Sequence, residues 1–441
     1  MQKMDYSIEK ILSNLKIEKL NDMQVASLEA NKTGQDIVLL SATGSGKTLA
    51  FLLPLLKKLD KDLKKIQALI IVPTRELAIQ IESVFKSLNT DLKVTCCYGG
   101  HLRETEENNL VEPPALLIGT PGRLADHLRR GNIQPDFIES LILDEYDKSV
   151  EFGFQEEISY IISKLQSLKS RILTSATESG NLPDYIGLTN PIFLNFLDGQ
   201  SEAHLLTIQT LRSDGKDKLE TLFQLVCFLG NRSMIIFCNH REAVERTSLS
   251  LKDKGIVNVF YHGAMEQQER DAALCKFRNG SANVLVTTDL ASRGLDIPNI
   301  RYIIHYHLPG SEDIFLHRNG RTARMDASGT AIILLGPDEI TPPYIPHDAQ
   351  VLTLTQNLEI PDKPKWSTLF IAGGKKDKIN KMDIVGFLSK RGELKKEDIG
   401  LIEVKDFFSF VAVRKSKIGN TLQLIKNEKI KNKKVRIEIA R

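Results

Sequence analysis

Residues 36–51, DIVLLSATGSGKTLAF, decide the fold. The apolar run from Ile37 to Leu40 reads as a short buried strand, the small residues from Ser41 to Gly46 as a loop, and Lys47 onward as the start of a helix. A strand that passes through glycines into a helix presents a row of backbone N–H groups to an anion, and Gly44, Ser45 and Gly46 let a phosphate come close to the chain. Lys47 then reaches the β- and γ-phosphates and Thr48 ligates Mg²⁺. Ser41 stands at the first position, where the strict form of such a loop has glycine. The stretch therefore reads as a nucleotide site with ATP and Mg²⁺ as cofactors, because a plain glycine-rich turn leaves Lys47 without a reason.

Working outward, the same rhythm continues. DIVLL, ALIIVP, KVTCCY, ALLIGT, SLILDE and RILTSAT are short apolar runs spaced by segments of helix length, and the pattern restarts with SMIIFC, VNVFYH, NVLVTTD, RYIIHY and GTAIILL. Such spacing predicts parallel βαβ units with both sheet faces covered. The polar stretch LDGQSEAHL marks a joint near residues 198 to 210, and the proline-rich PDEITPPYIPHDAQ and IPDKPKW end the second unit. The expected organisation is an α/β chain with domains at 1–200 and 201–356, followed by a short basic α+β domain at 365–441 built on STLFIA, FFSFVAV and KVRIEIA.

Composition narrows the partners. At 441 residues, 41% hydrophobic and 26% charged, the chain is that of a globular protein of several domains. It has no apolar run of membrane-spanning length, and MQKMDYSIEK lacks the apolar core of a signal peptide, so no membrane and a cytoplasmic location are expected. The five cysteines form no C-x-x-C pair, which argues against a structural zinc site or a disulfide framework. The net charge of +3 hides an asymmetry: residues 365–441 hold 20 Lys and Arg against 9 Asp and Glu, and the other 364 residues hold 39 against 47. A basic end on an acidic body points to a separate module for a polyanion.

A second stretch supplies the acids. In SLILDEYDKS, residues 140–149, an apolar run stops at Asp144 and Glu145. A strand that delivers two carboxylates to its C-terminal end suits phosphoryl transfer: Asp144 to hold the Mg²⁺ shell and Glu145 to orient or polarise the attacking water.

With these residues stand PTRELA (73–78), GG (99 and 100), TPGR (120–123), DEYD (144–147), SAT (175–177), TTDLASRGLD (287–296) and HRNGRTAR (317–324). The phosphate loop and these seven, in this order, resemble the DEAD-box RNA helicases over about residues 1 to 355. The resemblance implies two RecA-like parallel-sheet domains. It also implies that Gln24 reads the adenine edge, although LKIEKLNDMQ departs from the usual flanking pattern, and that Tyr6 is the aromatic stacking on adenine. Asp296 would hold the ribose, and Arg321 and Arg324 would meet the γ-phosphate as fingers. Ser175 and Thr177 would couple domain closure to RNA, and Arg75, Gly100, Thr120, Arg123 and Thr288 would grip its phosphates and 2′-hydroxyls. Two departures are Tyr146, in place of the usual alanine, and Asn319, where an aliphatic residue is common. If the strand ran on, the Tyr146 ring would crowd the metal shell; if it ends near Asp144, the ring turns elsewhere.

The end domain resembles the RNA-binding domain of DbpA-type bacterial DEAD-box helicases, a module like an RNA-recognition motif. Alternation in KDFFSFVAV sets Phe408 and Phe410 on one face and Phe407 on the other, so RNA contacts are expected from Lys375, Lys376 and Lys378 of GGKKDKI and from residues 414 to 417. The resemblance implies an ATP-dependent helicase that locally unwinds RNA, directed to 23S rRNA and pre-ribosomal particles of the large subunit. Two other readings remain: a non-catalytic RNA clamp or chaperone disabled by Tyr146 and Asn319, and a DNA-acting helicase.

Overall fold

The computed structural model describes residues 7–42, 44–100, 103–177, 182–197, 206–289, 300–320, 322, 329–354 and 358–440. Seven parallel strands form the first sheet: β1 (Ile37–Ser41), β2 (Ala68–Ile71), β3 (Val94–Cys97), β4 (Leu116–Gly119), β5 (Ser140–Leu143), β6 (Ser170–Ser175) and β7 (Ile192–Phe196). Their order is β3-β4-β2-β5-β6-β1-β7. Period-two alternation divides each strand between two cores. Ile37, Leu39, Ala68, Ile70, Leu116, Ile118 and Ile142 pack on one face with the helix Lys47–Leu56. Val38, Leu40, Leu69, Ile71, Leu117, Leu141 and Leu143 pack on the other with the helix Gln155–Lys164. A strand covered on both sides has no polar face to show, which is why these runs are apolar throughout.

The second sheet repeats the design with β8 (Leu206–Arg212), β9 (Met234–Phe237), β10 (Asn258–Tyr261), β11 (Val284–Thr287), β12 (Tyr302–His305), β13 (Gly329–Leu335) and β14 (Gln350–Val351), in the order β10-β11-β9-β12-β13-β8-β14. Together the two sheets are RecA-like. Strands β7 and β8 flank the expected joint and stand outside the runs read from the sequence: β7 is apolar except at Asn195 yet alternates half-buried and exposed residues, and β8 carries Thr207, Gln209 and Thr210. The fold class is as expected from the sequence.

The end domain is an antiparallel sheet of β15 (Trp366–Ile371), β16 (Ile399–Val404), β17 (Ser409–Arg414) and β18 (Ile437–Ile439), ordered β16-β17-β15-β18. Helices Lys381–Arg391 and Ile418–Ile425 cover one face over a core of Leu369, Ile371, Ile384, Leu388, Val411 and Val413. The opposite face carries Phe370, Phe408 and Phe410, and it packs on Ala272 and Cys275 of the helix Gln267–Arg278. The contact is also polar: Asn279 Nδ2 donates to Thr368 Oγ1 (2.9 Å), Thr368 Oγ1 donates to Ser281 Oγ (2.9 Å), and Arg278 pairs with Glu403 (3.4 Å) and Lys405 with Asp271 (3.4 Å). The aromatic face is thus an internal interface, while Phe407 is exposed. No helix among the described residues is long and apolar enough to cross a membrane.

Candidate nucleotide and nucleic-acid site

Because the first sheet is parallel, every strand delivers its following loop to the same carboxyl edge. The phosphate loop follows β1. Gly44 and Gly46 adopt φ of 87° and 93°, a left-handed conformation that side chains resist, and Gly46 leads into the helix Lys47–Leu56. No acidic residue lies in that helix's first turn and no side chain caps Gly46, so the helix N-terminus suits an anion. Lys47 is buried and its ammonium donates to the Ser41 carbonyl at 2.5 Å. Ser41 thereby serves through its backbone, which explains how a non-glycine residue is accommodated; its hydroxyl donates to Ser45 Oγ at 2.7 Å. Thr48 follows in the first turn.

Gln24 lies against this loop. Its side chain accepts from the Asn21 N–H (3.1 Å) to close a capping box on the helix Asp22–Ala30, and its Nε2 donates to the Gly46 carbonyl at 3.2 Å. The amide expected to read adenine is here bound to the phosphate loop itself.

Asp144 and Glu145 follow β5, two strands from β1. The strand ends at Leu143, and Glu145 takes a left-handed conformation (φ 50°, ψ 50°) that starts the helix Tyr146–Glu151. Such a conformation in a residue with a Cβ costs on the order of 1–3 kcal/mol and is tolerated where the surroundings fix it. Thr174 of β6 does so: its hydroxyl donates to Asp144 Oδ1 and accepts from the Glu145 N–H at 3.2 Å. Thr174 has no role in the motifs read from the sequence; its one signal there is a hydroxyl directly after the apolar pair Ile172-Leu173. Burial pushes the Asp144 carboxyl above the usual carboxylate range, against the opposing pull of the Thr174 hydrogen bond and the Lys47 charge. A buried, oxygen-only group under this desolvation gains from a hard cation, so Asp144 and Thr48 fit Mg²⁺.

The same turn settles Tyr146. Its ring sits in the core with Val38, Leu40, Leu143 and Leu173, 2% exposed, and its hydroxyl meets that of Tyr185 at 2.7 Å. The strand has ended, so alternation does not carry the ring onto Asp144. Ser175 and Thr177 bond each other, the Ser175 hydroxyl donating to the Thr177 carbonyl (2.6 Å) and accepting from its N–H (3.1 Å).

The other half of the edge gathers the expected RNA contacts. Arg75 begins the helix Arg75–Ser87 after β2, with Thr74 as its cap. Its guanidinium lies over Gly99 and Gly100 after β3, so close that a Cβ on Gly100 would strike it, and Gly100 holds φ of 93°. Thr120, after β4, donates its N–H to the Cys97 carbonyl at 3.1 Å, and Arg123 lies in the helix Pro121–Arg129. Arg75, Gly100, Thr120 and Arg123 thus follow the neighbouring strands β2, β3 and β4, beside the residues after β5, β6 and β1 that are expected to meet the nucleotide.

In the second unit Thr288 follows β11 and Asn319 ends the helix Glu312–Asn319. Asn319 is buried and accepts from His305 Nε2 at 2.9 Å, and burial pushes the His305 imidazole down to about 3. Arg318, quoted in the motif without a role, is fully buried: it pairs with Asp289 through two nitrogens (2.5 and 3.1 Å) and donates to Asn239 Oδ1 (2.9 Å) and the His307 carbonyl (2.8 Å). Tyr6, Asp296, Arg321 and Arg324 lie outside the described residues. In the end domain Lys375, Lys376 and Lys378 are exposed on a turn that docks through its backbone, Lys375 and Lys376 donating to the carbonyls of Lys405 and Asp406. Arg414 instead stacks over Trp366, 4.7 Å from the ring centre.

Comparison with known proteins matches three segments of the chain to family models. Residues 21–184 match the DEAD/DEAH box helicase family, 217–326 the helicase conserved C-terminal domain and 368–439 the DbpA RNA binding domain. The structure of S. cerevisiae Dbp5 bound to RNA and ADP BeF3 superposes with a TM-score of 0.66 at 25% identity, covering 75% of this chain and 87% of that one. The chain belongs to the DEAD-box ATP-dependent RNA helicases, which bind and hydrolyse ATP and bind RNA. Within that family it is DbpA-like. It is 32% identical over 445 residues to the ATP-dependent RNA helicase DbpA of Escherichia coli, covering 98% of this chain and 96% of that protein. To the Bacillus subtilis DbpA it is 29% identical, covering 99% and 98%.

Tyr146 gives a test. Removing a buried aromatic ring costs about 3–5 kcal/mol, and losing one hydroxyl hydrogen bond about 1 kcal/mol. Urea unfolding is expected to rank Tyr146→Ala far below Tyr146→Phe, with nucleotide binding retained by both where they are folded. An alanine variant as stable as the parent, or one folded yet unable to bind ATP, contradicts the core placement.

Proposed function

We propose that this chain couples ATP hydrolysis to local separation of short RNA duplexes, and that it acts in the cytoplasm on 23S rRNA within assembling large ribosomal subunits. The observation that carries the catalytic part is the single carboxyl edge, with Lys47, Thr48, Asp144 and Glu145 on one half and Arg75, Gly100, Thr120 and Arg123 on the other. Lys47 leaves the Ser41 carbonyl for the β- and γ-phosphates, and the N–H groups at Gly44 to Thr48 take the remaining phosphate oxygens. Thr48 and Asp144 would hold Mg²⁺, which would supply neutralisation of the charge on the phosphates. Thr174 keeps the Asp144 carboxylate aimed, and Glu145, held buried beside it at the left-handed turn, orients the attacking water and accepts its proton. Gln24 exchanges the Gly46 carbonyl for the adenine edge, Asp296 binds the ribose, and Arg321 and Arg324 stabilise the γ-phosphate charge on domain closure. Ser175 and Thr177 transmit that closure to RNA held by the arginines, the glycine turn and Thr288.

The RNA target rests on the basic end domain and its match to the DbpA RNA binding domain. Its aromatic sheet face is used internally, so the exposed Lys375, Lys376 and Lys378 are the better candidates for RNA. The reading as a disabled clamp loses support because Tyr146 and Asn319 are each absorbed by local partners, Tyr185 and His305. A DNA substrate loses support because the full-length relatives are RNA helicases.

RNA-stimulated ATP turnover tests the catalytic part. Lys47→Ala, Glu145→Gln and Arg324→Ala are each expected to lower it by about 10²-fold or more, the usual cost of removing one group that stabilises the transition state. Glu145→Gln should still bind ATP and RNA, since it keeps size and hydrogen bonding. Near-parental turnover in all three would refute the site.

For the target, Lys375→Glu, Lys376→Glu and Lys378→Glu are best combined in the full chain, because deleting residues 365–441 would bare the apolar face at Ala272 and Cys275. The combined variant should lose its preference for 23S rRNA fragments over unstructured RNA. Its log-log salt slope should flatten by roughly 0.7 for every single-strand phosphate that the lysines no longer neutralise. An unchanged preference and slope would remove these lysines from the RNA surface.

A further inference from the structure

Between the two segments expected to grip RNA lies a buried acid that neither motif contains. Glu106, in the helix Arg103–Val111, is fully buried. One carboxylate oxygen accepts the Tyr98 backbone N–H at 2.9 Å, immediately before the Gly99-Gly100 turn. The other accepts from His127 Nε2 at 2.9 Å and pairs with Arg123 at 3.3 Å. Burying a carboxylate is expensive unless its oxygens are fully engaged, and here both are. The arrangement ties the turn after β3 to the arginine after β4.

Cys97, Glu106 and His127 also lie close enough together to be taken for a metal site, their ligand atoms all within 4.8 Å. The hydrogen bonds argue otherwise. Asn132 Nδ2 faces both Glu107 Oε1 (3.3 Å) and His127 Nδ1 (3.0 Å). The Glu107 carboxylate can only accept, which fixes the amide nitrogen on that side, so His127 Nδ1 accepts and Nε2 carries the hydrogen given to Glu106. The nitrogen aimed at the cluster therefore has no lone pair for a metal, and burial pushes the Cys97 thiol far above its usual range. The cluster is a hydrogen-bonded brace.

We propose that Glu106 is a positioning residue for RNA binding: with His127 and Asn132 behind it, it holds the Arg123 guanidinium and the Gly99-Gly100 turn in one fixed relation. The proposal rests on the reading that Arg123 contacts RNA. Glutamine at 106 would present an N–H₂ to partners that are themselves donors, releasing either Arg123 and His127 or the Tyr98 N–H. Aspartate keeps the charge and both acceptors at a slightly shorter reach.

The experiment is RNA-stimulated ATPase of the full chain as a function of RNA concentration for Glu106→Gln, Glu106→Asp, Arg123→Ala and the double variant Glu106→Gln/Arg123→Ala, with ATP affinity measured without RNA to verify folding. Expected for Glu106→Gln is a half-saturating RNA concentration raised about 5-fold with turnover at saturating RNA within about twofold of the parent, and recovery of most of that loss in Glu106→Asp. The double variant should bind RNA more weakly than Arg123→Ala by clearly less than the product of the two single effects, since the part of the Glu106 effect that runs through Arg123 is not additive. Effects that multiply in the double variant, a Glu106→Asp as weak as Glu106→Gln, or unchanged RNA dependence in Glu106→Gln would overturn the proposal while leaving Arg123 as an RNA-binding residue. An Arg123→Ala variant with unchanged RNA dependence would overturn the RNA reading of Arg123 itself, and the positioning role with it.

Discussion

Parallel pairing is the constraint on which the first domain depends. With all seven strands running one way, each following loop must emerge at the same edge, and the strand order alone decides which loops become neighbours. The order β3-β4-β2-β5-β6-β1-β7 puts the loops after β3, β4 and β2 together and those after β5, β6 and β1 together. Chemistry scattered over residues 41 to 177 thus falls into two adjoining groups, one suited to phosphate and one to a nucleic-acid backbone. Apolar residues on both faces keep the sheet rigid enough for that arrangement to be a defined geometry.

Within this frame the buried charges are held by short, local devices. Lys47 rests on a carbonyl of its own loop, Asp144 on the Thr174 hydroxyl, Glu106 on a backbone N–H, a histidine and an arginine, and Arg318 on Asp289, Asn239 and His307. Each satisfies groups that burial would otherwise penalise. Burial still pushes the Asp144 carboxyl above the usual carboxylate range, against the pull of the Thr174 hydrogen bond and the Lys47 charge.

Much of this was legible in the sequence because period and punctuation carry it. The phosphate loop, the acids after β5 and the continuous apolar runs of buried parallel strands identify both RecA-like sheets. The mixed-polarity strands β8 and β14, and the short β7, apolar but only half-buried or exposed, escape that criterion. Residues whose part depends on which helix meets which strand were also beyond reach: Thr174, Glu106 and Arg318 carry no spacing that announces their partners. The Tyr146 ring could not be oriented without knowing that the strand stops at Leu143 and that Glu145 turns left-handed. Alternation correctly separated Phe408 and Phe410 from Phe407, but only the fold reveals that a helix of the second unit covers them.

The central claim is that the two halves of one sheet edge form a coupled ATP and RNA site. The most direct test is the affinity of the full chain for single-stranded RNA with and without a non-hydrolysable ATP analogue, together with the affinity for the analogue with and without RNA. Coupling requires each ligand to tighten the other by the same factor, typically about 5- to 150-fold. Mutual tightening by one shared factor is the expected result; affinities that are indifferent to the other ligand would contradict the account.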